Sequence, residues 1–516
     1  MRVPYSILNQ YVEVFDIDPH SLVEKLNTHS VEATLDFFGN SEIEKAVVGK
    51  ILKTQPHPSL KKLLVCEVDI GDQKVVICTN DKTVKEGDKV FLVLAGGRIG
   101  DFPIGERDFK GVRSQGMFLG LKELVGVESE GVFKFHDDSV KEGTDVKKLL
   151  GLGEPIIELD ITPNRGDLLS VKGLAREISA LYGRPIKKQT LQPKEVFGNE
   201  IEVEILEPKA CNRYRAAVIR NVQVKESPLW LMVALWKFGE AVINNVVDIT
   251  NYLLFTEGNP MHAFDLDKIE GKVVVRRAKE GEKFVALNKK EYELSPNDLV
   301  IADDKEVLAL AGIIGGLSSA VDENTKNILL ETAHFDPFTV RKTAKRLDIR
   351  TESSYRFERN VDIENIPNAQ SKAIDLILQL AGGQLTTLKE EYPNPYQPQK
   401  VKLSLSKYRK YTGSDISPLR AKEILDRLGL ETTITFEGLD EKTLKRVILK
   451  KLAQEKGCQG FRLPTLKEKE QGFDGFLLCK EEEIPVIIGE KNISLPENGL
   501  KVNYRLTQEG LEIKVL

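Results

Sequence analysis

The sequence predicts an α+β multidomain protein: a small strand-built barrel inserted in a helical domain, then a mixed α/β module, a proline-rich linker and a short C-terminal α/β region. Three observations lead there. The chain has 516 residues, and single hydrophobic cores stop growing at roughly 250–300 residues, so several domains are required. The hydrophobic period switches repeatedly between the helical 3.6 and the strand value of 2. Strand-like runs are bracketed on both sides by helical ones, which is the pattern of an inserted domain.

Residues 1–40 read as short helices, with Asp18-Pro19-His20-Ser21 as a start signal ahead of Leu22, Val23 and Leu26. Between 41 and 150 the runs 47–52, 63–68, 74–77 and 90–94 are rich in β-branched residues, and Gly71-Asp72 and Gly87-Asp88 punctuate them as turns. Several short strands at this spacing suggest a small barrel. In 151–190, Val171, Leu174, Ala175, Ile178, Leu181 and Tyr182 share a helix face that Gly183 and Pro185 end. Residues 1–40 and 151–190 are therefore expected to form one helical domain around the barrel.

Residues 200–385 read as mixed α/β, closing on a helix face of Ile366, Ala369, Ala373, Ile374, Ile377 and Leu380. The stretch 386–400 is a linker, because Pro393, Pro395 and Pro398 break regular structure. Residues 401–435 begin a further small domain, with a helix from Ser417-Pro418 to Gly429. In 436–516, Leu444, Val447, Ile448 and Leu452 mark one amphipathic helix, and a strand-rich tail follows.

Hydrophobic residues make up 41% and charged residues 30%, as in a soluble globular protein. The net charge of −5 argues against indiscriminate coating of nucleic acid, though not against a local basic face. The five cysteines (Cys66, Cys78, Cys211, Cys458, Cys479) are far apart with no CxxC pair. Neither a zinc site nor a disulfide framework is expected, and a reducing cytoplasm is the expected location. Met1-Arg2-Val3-Pro4 is no signal peptide. No apolar run reaches the roughly 18 residues of a membrane span, so no membrane partner is expected.

The run Val246-Val247-Asp248-Ile249-Thr250-Asn251-Tyr252, continuing to Gly258-Asn259-Pro260-Met261-His262-Ala263-Phe264-Asp265, sets Asp, Thr, Asn and His among large apolar residues. Buried polar groups are costly unless each finds a partner, so the run points to a polar pocket in a β-rich module. It resembles the editing module of the bacterial phenylalanyl-tRNA synthetase β-subunit family. Further stretches agree: Asp160-Ile161-Thr162-Pro163-Asn164-Arg165, Ala309-Leu310-Ala311-Gly312-Ile313-Ile314-Gly315-Gly316, Leu330-Glu331-Thr332-Ala333-His334-Phe335, and Arg350-Thr351-Glu352-Ser353-Ser354-Tyr355-Arg356-Phe357-Glu358-Arg359. The resemblance runs from Met1 to about residue 430.

That resemblance implies a protein that binds tRNA-Phe and hydrolyses tyrosine wrongly esterified to it. A site built to hydrogen-bond one hydroxyl rejects a ligand that lacks it. By the same resemblance Glu331 is the acid that reads the phenol, His262 and Thr351 line the pocket, and Gly315 lets backbone approach the ligand. Ser353 stands where alanine is common and adds a hydroxyl inside the pocket. Ala241-Val242 replaces a usual Arg and its small neighbour, which removes a cation from the pocket edge. Asn360 replaces a glycine, and asparagine tolerates positive φ. Hydrolysis then needs only a held water and a donor for the oxyanion. No Ser-His-Asp order and no metal-ligand cluster is present to suggest other chemistry. Arg356, Glu358 and Arg359 read as a structural network, and Asn164 and Arg165 as caps of the following helix.

His57-Pro58-Ser59-Leu60-Lys61-Lys62-Leu63 and Gly111-Val112-Arg113-Ser114-Gln115-Gly116-Met117 resemble the OB-fold tRNA-binding domain of several synthetases. Lys53, Lys61, Lys62, Arg98, Lys110 and Arg113 supply charge for phosphates, with a merely solvated surface as the competing reading. Leu119-Gly120 departs from the usual Cys-Ser ahead of Lys122-Glu123-Leu124. The family's later domains are not recognisable after residue 430, so a shortened β-subunit-like chain is expected. Aminoacylation, with its ATP and Mg, would belong to a partnered α subunit, whose contact the missing domains weaken; no cofactor is expected on this chain. The rival functions are a non-catalytic tRNA-binding or assembly subunit, and an amino-acid sensor.

Overall fold

The computed structural model describes residues 1–187, 196, 198–432, 441–480, 482–488, 492–495, 500–507 and 510–515, with the backbone divided into two units, Met1–Pro398 and Gln399–Leu516. The expected ends of the helical domain at 190 and of the small segment at 435 lie outside the described residues.

Asp18 caps the helix Pro19–His29 by accepting from the Ser21 N–H, with Pro19 at the first turn. Beside it and the short helix Tyr5–Leu8 the flanking segments hold strands, so the helical domain expected for 1–40 and 151–190 is corrected to a mixed α/β one. Arg2–Pro4 and Glu32–Phe37 are strands on either side of Pro155–Asp160 in a three-stranded antiparallel sheet. Strand Glu32–Phe37 alternates polar and apolar residues, the period of a half-buried strand. Helix Val171–Tyr182 packs on this sheet and ends at Gly183 in the left-handed region, φ 67°. Its cap is Ser170, which accepts from Gly173, rather than Asn164 or Arg165. Arg165 instead pairs with Asp167 and Glu177.

The inserted domain is a seven-stranded antiparallel sheet whose main path runs Gly116–Phe118, Lys89–Ile99, Ile43–Pro56, Leu64–Asp69, Lys74–Thr79. Its two ends meet: the Gln115 N–H donates to Val76 O at 2.8 Å, and Ser114 Oγ accepts from the Cys78 N–H at 3.0 Å. Strand alternation sends Val90 and Leu92 into one core with Ile51, Val68 and Ile77. Phe91 and Val93 face another, shared with helix Leu229–Phe238.

Two sheets and a helical layer make the larger module. A five-stranded sheet runs Val203–Ile205, Val273–Arg277, Leu299–Ala302, Val307–Leu310, Ile314–Gly315. A four-stranded antiparallel sheet runs Met261–Asp265, Asn327–Phe335, Cys211–Arg220, Gln384–Glu391. One face of the latter, with Tyr214, Ala216, Phe264 and Leu329, joins the core of the five-stranded sheet. The other, with Ala217, Ala263, Ile328 and Leu330, is covered by helices Asn245–Glu257 and Ile366–Leu380.

The run 246–252 is thus helix, and its polar groups do not form a pocket. Asn245, fully buried, donates to Gln223 O and Leu380 O and accepts from the Lys225 N–H. Asp248 accepts from Ser227 Oγ and the Ile243 N–H. Thr250 and Thr256 donate to carbonyls one turn back. A helix packed on nearly all sides shows no clean apolar stripe, which is why its period was illegible.

In the second unit, helix Glu441–Glu455 lays Ile448, Leu449 and Leu452 on Leu477, Ile484 and Val486 of a six-stranded antiparallel meander. Cys458 and Cys479 are disulfide-bonded, which corrects the expectation of no disulfide. The pairing of Gly460–Arg462 with Gly475–Leu478 brings together cysteines 21 residues apart, a contact that sequence spacing does not announce.

Candidate functional site

Strand register builds the site. His262 lies directly opposite Glu331, and Glu331 is opposite Ala216 on its other side. Directly opposed Cβ atoms are about 4.5–5.5 Å apart, so imidazole and carboxyl rise side by side from one face. That face otherwise enters an apolar core. Glu331 is 6% exposed, and burial is the one influence on its carboxyl, with no hydrogen bond to it among the described residues. Burial raises its pKa to about 8. His262 stands edge-on to Phe264, ring centroids 4.5 Å apart, and its Nε2 is buried with no hydrogen bond. Burial lowers its pKa to about 4. Near pH 7 the site therefore holds a neutral imidazole and a neutral carboxylic acid, both unpartnered.

Gly315 serves the histidine. A Cβ there would lie 2.3 Å from His262 Cε1 and 2.5 Å from Nε2. The close approach expected at this glycine is filled here by the imidazole. Thr351 and Ser353 act one step back. Thr351 caps helix Glu352–Phe357, accepting from the Ser354 N–H and donating to Ile313 O at 2.8 Å. Ser353 Oγ donates to Gly312 O at 3.2 Å. Both hydroxyl hydrogens fix the loop that leads into Ile314–Gly315, so the expected pocket hydroxyls are loop anchors. Gly312 itself has φ 71°, and a Cβ there would meet Phe357, Phe335 and Val340 within 3.1 Å.

Glu331 pairs with neither Arg356 nor Arg359. Arg356 pairs with Glu352 at 2.6 Å, and Arg359 donates to Tyr355 O. Asn360 has φ 70°, and its Oδ1 accepts from His334 Nε2–H, 2.9 Å away. Ala241 lies exposed in the loop before helix Asn245–Glu257. The sequence reading missed Tyr214. It sits two positions from Ala216 on the Glu331 face, is fully buried, and its hydroxyl has no partner. Only the strand register reveals this, because no motif surrounds Tyr214. Among the described residues, no group of three or more His, Cys, Asp or Glu is placed to hold a metal.

On the barrel, His57 organises the basic loop. Its Nδ1 accepts from the Ser59 and Leu60 N–H groups, both at 3.0 Å. This leaves the proton on Nε2, which donates to Phe109 O at 2.7 Å. The loop bearing Lys61 and Lys62 is thereby tied to the hairpin Arg107–Phe109/Val112–Ser114, whose turn carries Lys110. Lys53, Lys61, Lys62 and Lys110 are exposed without an ion pair among the described residues, while Arg98 and Arg113 pair with Glu44 and Glu106. A separate cavity of about 770 Å³ is lined by residues including Gln10, Asp137, Trp230 and Tyr252, and none of His262, Glu331, Gly315, Thr351, Ser353 and Tyr214 lines it.

Residues 46–145 match the family described as a tRNA binding domain, and residues 210–382 match the B3/4 domain family. Over 85% of its length the chain is homologous, at 48% identity, to the phenylalanine–tRNA ligase β subunit of Aquifex aeolicus. The corresponding subunits of Thermotoga maritima and Moorella thermoacetica are 42% and 40% identical over 83% and 84% of this chain. The chain spans about half the length of these relatives, 54–56%. Among the described residues, no helix is long and apolar enough to cross a membrane.

Proposed function

We propose that this chain works as the tRNA-binding and editing part of a phenylalanine–tRNA ligase β subunit, hydrolysing tyrosine misattached to tRNA-Phe. One observation carries the reading: His262 and Glu331 oppose each other across a strand pair, buried and without partners. Unpaired buried polar groups cost roughly 1–3 kcal/mol each, and a ligand that satisfies them recovers that cost. The Glu331 carboxyl accepts from, or donates to, the phenol of tyrosine. Phenylalanine leaves the same group unpaired, which is the basis of discrimination.

At the ester, water oxygen attacks the carbonyl carbon, and the ribose oxygen leaves with a proton. His262, with its low pKa, is a weak base near neutrality; its Nε2 orients the water more than it removes the proton. A vicinal ribose hydroxyl of the tRNA end supplies a further hydrogen bond. The barrel holds the tRNA body through Lys53, Lys61, Lys62 and Lys110, and through Arg98 and Arg113 once phosphates displace their carboxylate partners. Aminoacylation, with its ATP and Mg, is assigned to an α-subunit partner.

The test is deacylation of Tyr-tRNA-Phe and Phe-tRNA-Phe by the purified chain, with E331Q and H262A beside it. Selective loss of the tyrosyl ester, abolished by H262A, is the expected result. Binding of tRNA with neither ester lost would replace editing by the non-catalytic binding reading. The anchoring of Thr351 and Ser353 to backbone is the observation that favours this second reading.

A further inference from the structure

The hydroxyl of Tyr214 has no role in folding that the structure reveals. It lies in a core of Cys211, Phe264, Leu329, Ala333 and Phe335, where phenylalanine would fill the same space. The side chain is fully buried, and its oxygen makes no hydrogen bond. Such an orphan costs folding free energy unless something else satisfies it. The register shows what is near. Tyr214 is opposite Ala333 and Ala216 is opposite Glu331, so Tyr214 and Glu331 are diagonal neighbours on one face, within reach of a long side chain. Burial first, and the Glu331 charge second, raise the tyrosine's ionisation well above its usual range.

Resting on the editing reading, we propose that Tyr214 is a specificity residue, forming with Glu331 a two-point clamp for the phenolic hydroxyl of the misattached amino acid. A phenol has one hydrogen to donate and lone pairs to accept. Its O–H donates to a Glu331 carboxyl oxygen, and its oxygen accepts from the Tyr214 O–H. The second bond satisfies the buried Tyr214 hydroxyl, which has no partner in the protein, and the first engages a buried carboxyl that makes no hydrogen bond among the described residues. A phenylalanyl group satisfies neither and leaves two buried polar groups sealed beneath an apolar ring. Two contacts on one oxygen also fix the ring position at which a hydroxyl is read.

The test is Y214F, read in hydrolysis, ligand binding and stability. The ratio of tyrosyl to phenylalanyl ester hydrolysis is expected to fall about tenfold, the effect of one neutral hydrogen bond. The unfolding temperature is expected to hold or rise, because an unsatisfied hydroxyl has been removed. In the free protein, tyrosine amide should raise the wild-type unfolding temperature more than phenylalanine amide does, and Y214F should shrink that difference. An unchanged ratio, with wild-type selectivity intact, overturns the clamp. A lower unfolding temperature with unchanged selectivity would show a structural hydroxyl instead. If the wild type hydrolyses neither ester, the editing reading fails, and the amide experiment still decides the clamp: equal discrimination by wild type and Y214F, or none by wild type, overturns it.

Discussion

Burial moves Glu331 and His262 in opposite directions, and the consequence is a pH signature. Glu331 rises from 4.5 to about 8, so the native state keeps a proton that the unfolded chain has lost. Its contribution to stability is full below 4.5 and disappears as pH rises through 8. His262 falls from 6.5 to about 4, so its contribution is full above 6.5 and is lost as pH falls through 4. Between 4.5 and 6.5 the two slopes oppose each other; between 6.5 and 8 only Glu331 acts. Stability of the first unit should therefore decline across 6.5–8, by at most roughly 1.4 kcal/mol per pH unit from this group. Urea midpoints at a series of pH values measure it, and E331Q should flatten the decline. A wild type and E331Q that decline in parallel would mean Glu331 is not protonated in the native state. G315A is the companion variant: its methyl displaces the imidazole, the movable end of a side chain, so hydrolysis should drop more than tenfold while stability falls by about 1–3 kcal/mol. A rate within twofold of wild type would remove His262 from the reaction.

At the scale of elements, the site depends on short connections that hold long ones in place. Thr351 and Ser353 tether the 312–313 loop, and His57 tethers the basic loop to a neighbouring hairpin. Sequence showed the residues but not these bonds. Glu331 and His262 stand out in the sequence because their motif neighbours resemble a known pocket, and the strand register adds that they face each other. Tyr214 was not, because its partner across the sheet is more than a hundred residues away in the chain. The polar run at 246–252 misled because fully packed helices lose their period, and because its side chains satisfy backbone groups that only the fold supplies. The barrel strands were legible from β-branched runs punctuated by turns, whereas strands 2–4 and 32–37 were too short, or too close to helix signals, to stand out. His57 and the lysines separate cleanly by experiment. K61A/K62A removes charge, so the slope of log affinity for tRNA against log salt should fall by about 1–2. H57A keeps every charge and loosens the loop, so affinity should fall with the slope nearly unchanged. An H57A protein with wild-type affinity would show that the loop needs no tether.

Across the first unit, two buried charge centres join the N-terminal part to the B3/4 module. Glu257, 4% exposed, meets Lys172, Lys372 and Tyr11. Burial works against its ionisation, but the two ammonium groups hold its pKa below the ordinary value. Arg356, 1% exposed, donates to Leu169 O at 3.0 Å and to Glu352 at 2.6 Å, with its guanidinium 4.7 Å from the Phe255 ring centroid. Glu352 is half-exposed, so loss of Arg356 strands little charge; the stranded group is the Leu169 carbonyl. R356M keeps most of the volume and should cost about 1–3 kcal/mol, the penalty for one unsatisfied buried acceptor, while R356A adds a cavity and should cost about 3–5 kcal/mol. The effect should reach the site. Arg356 lies on the helix that Thr351 caps; Thr351 holds Ile313, and Gly315 two residues on supports His262. Well below its melting temperature, R356M should therefore lose selectivity for the tyrosyl ester as well as stability, with tRNA affinity intact because the barrel is untouched. A variant that melts earlier but edits at the wild-type rate would show that the domain joint and the pocket are mechanically independent.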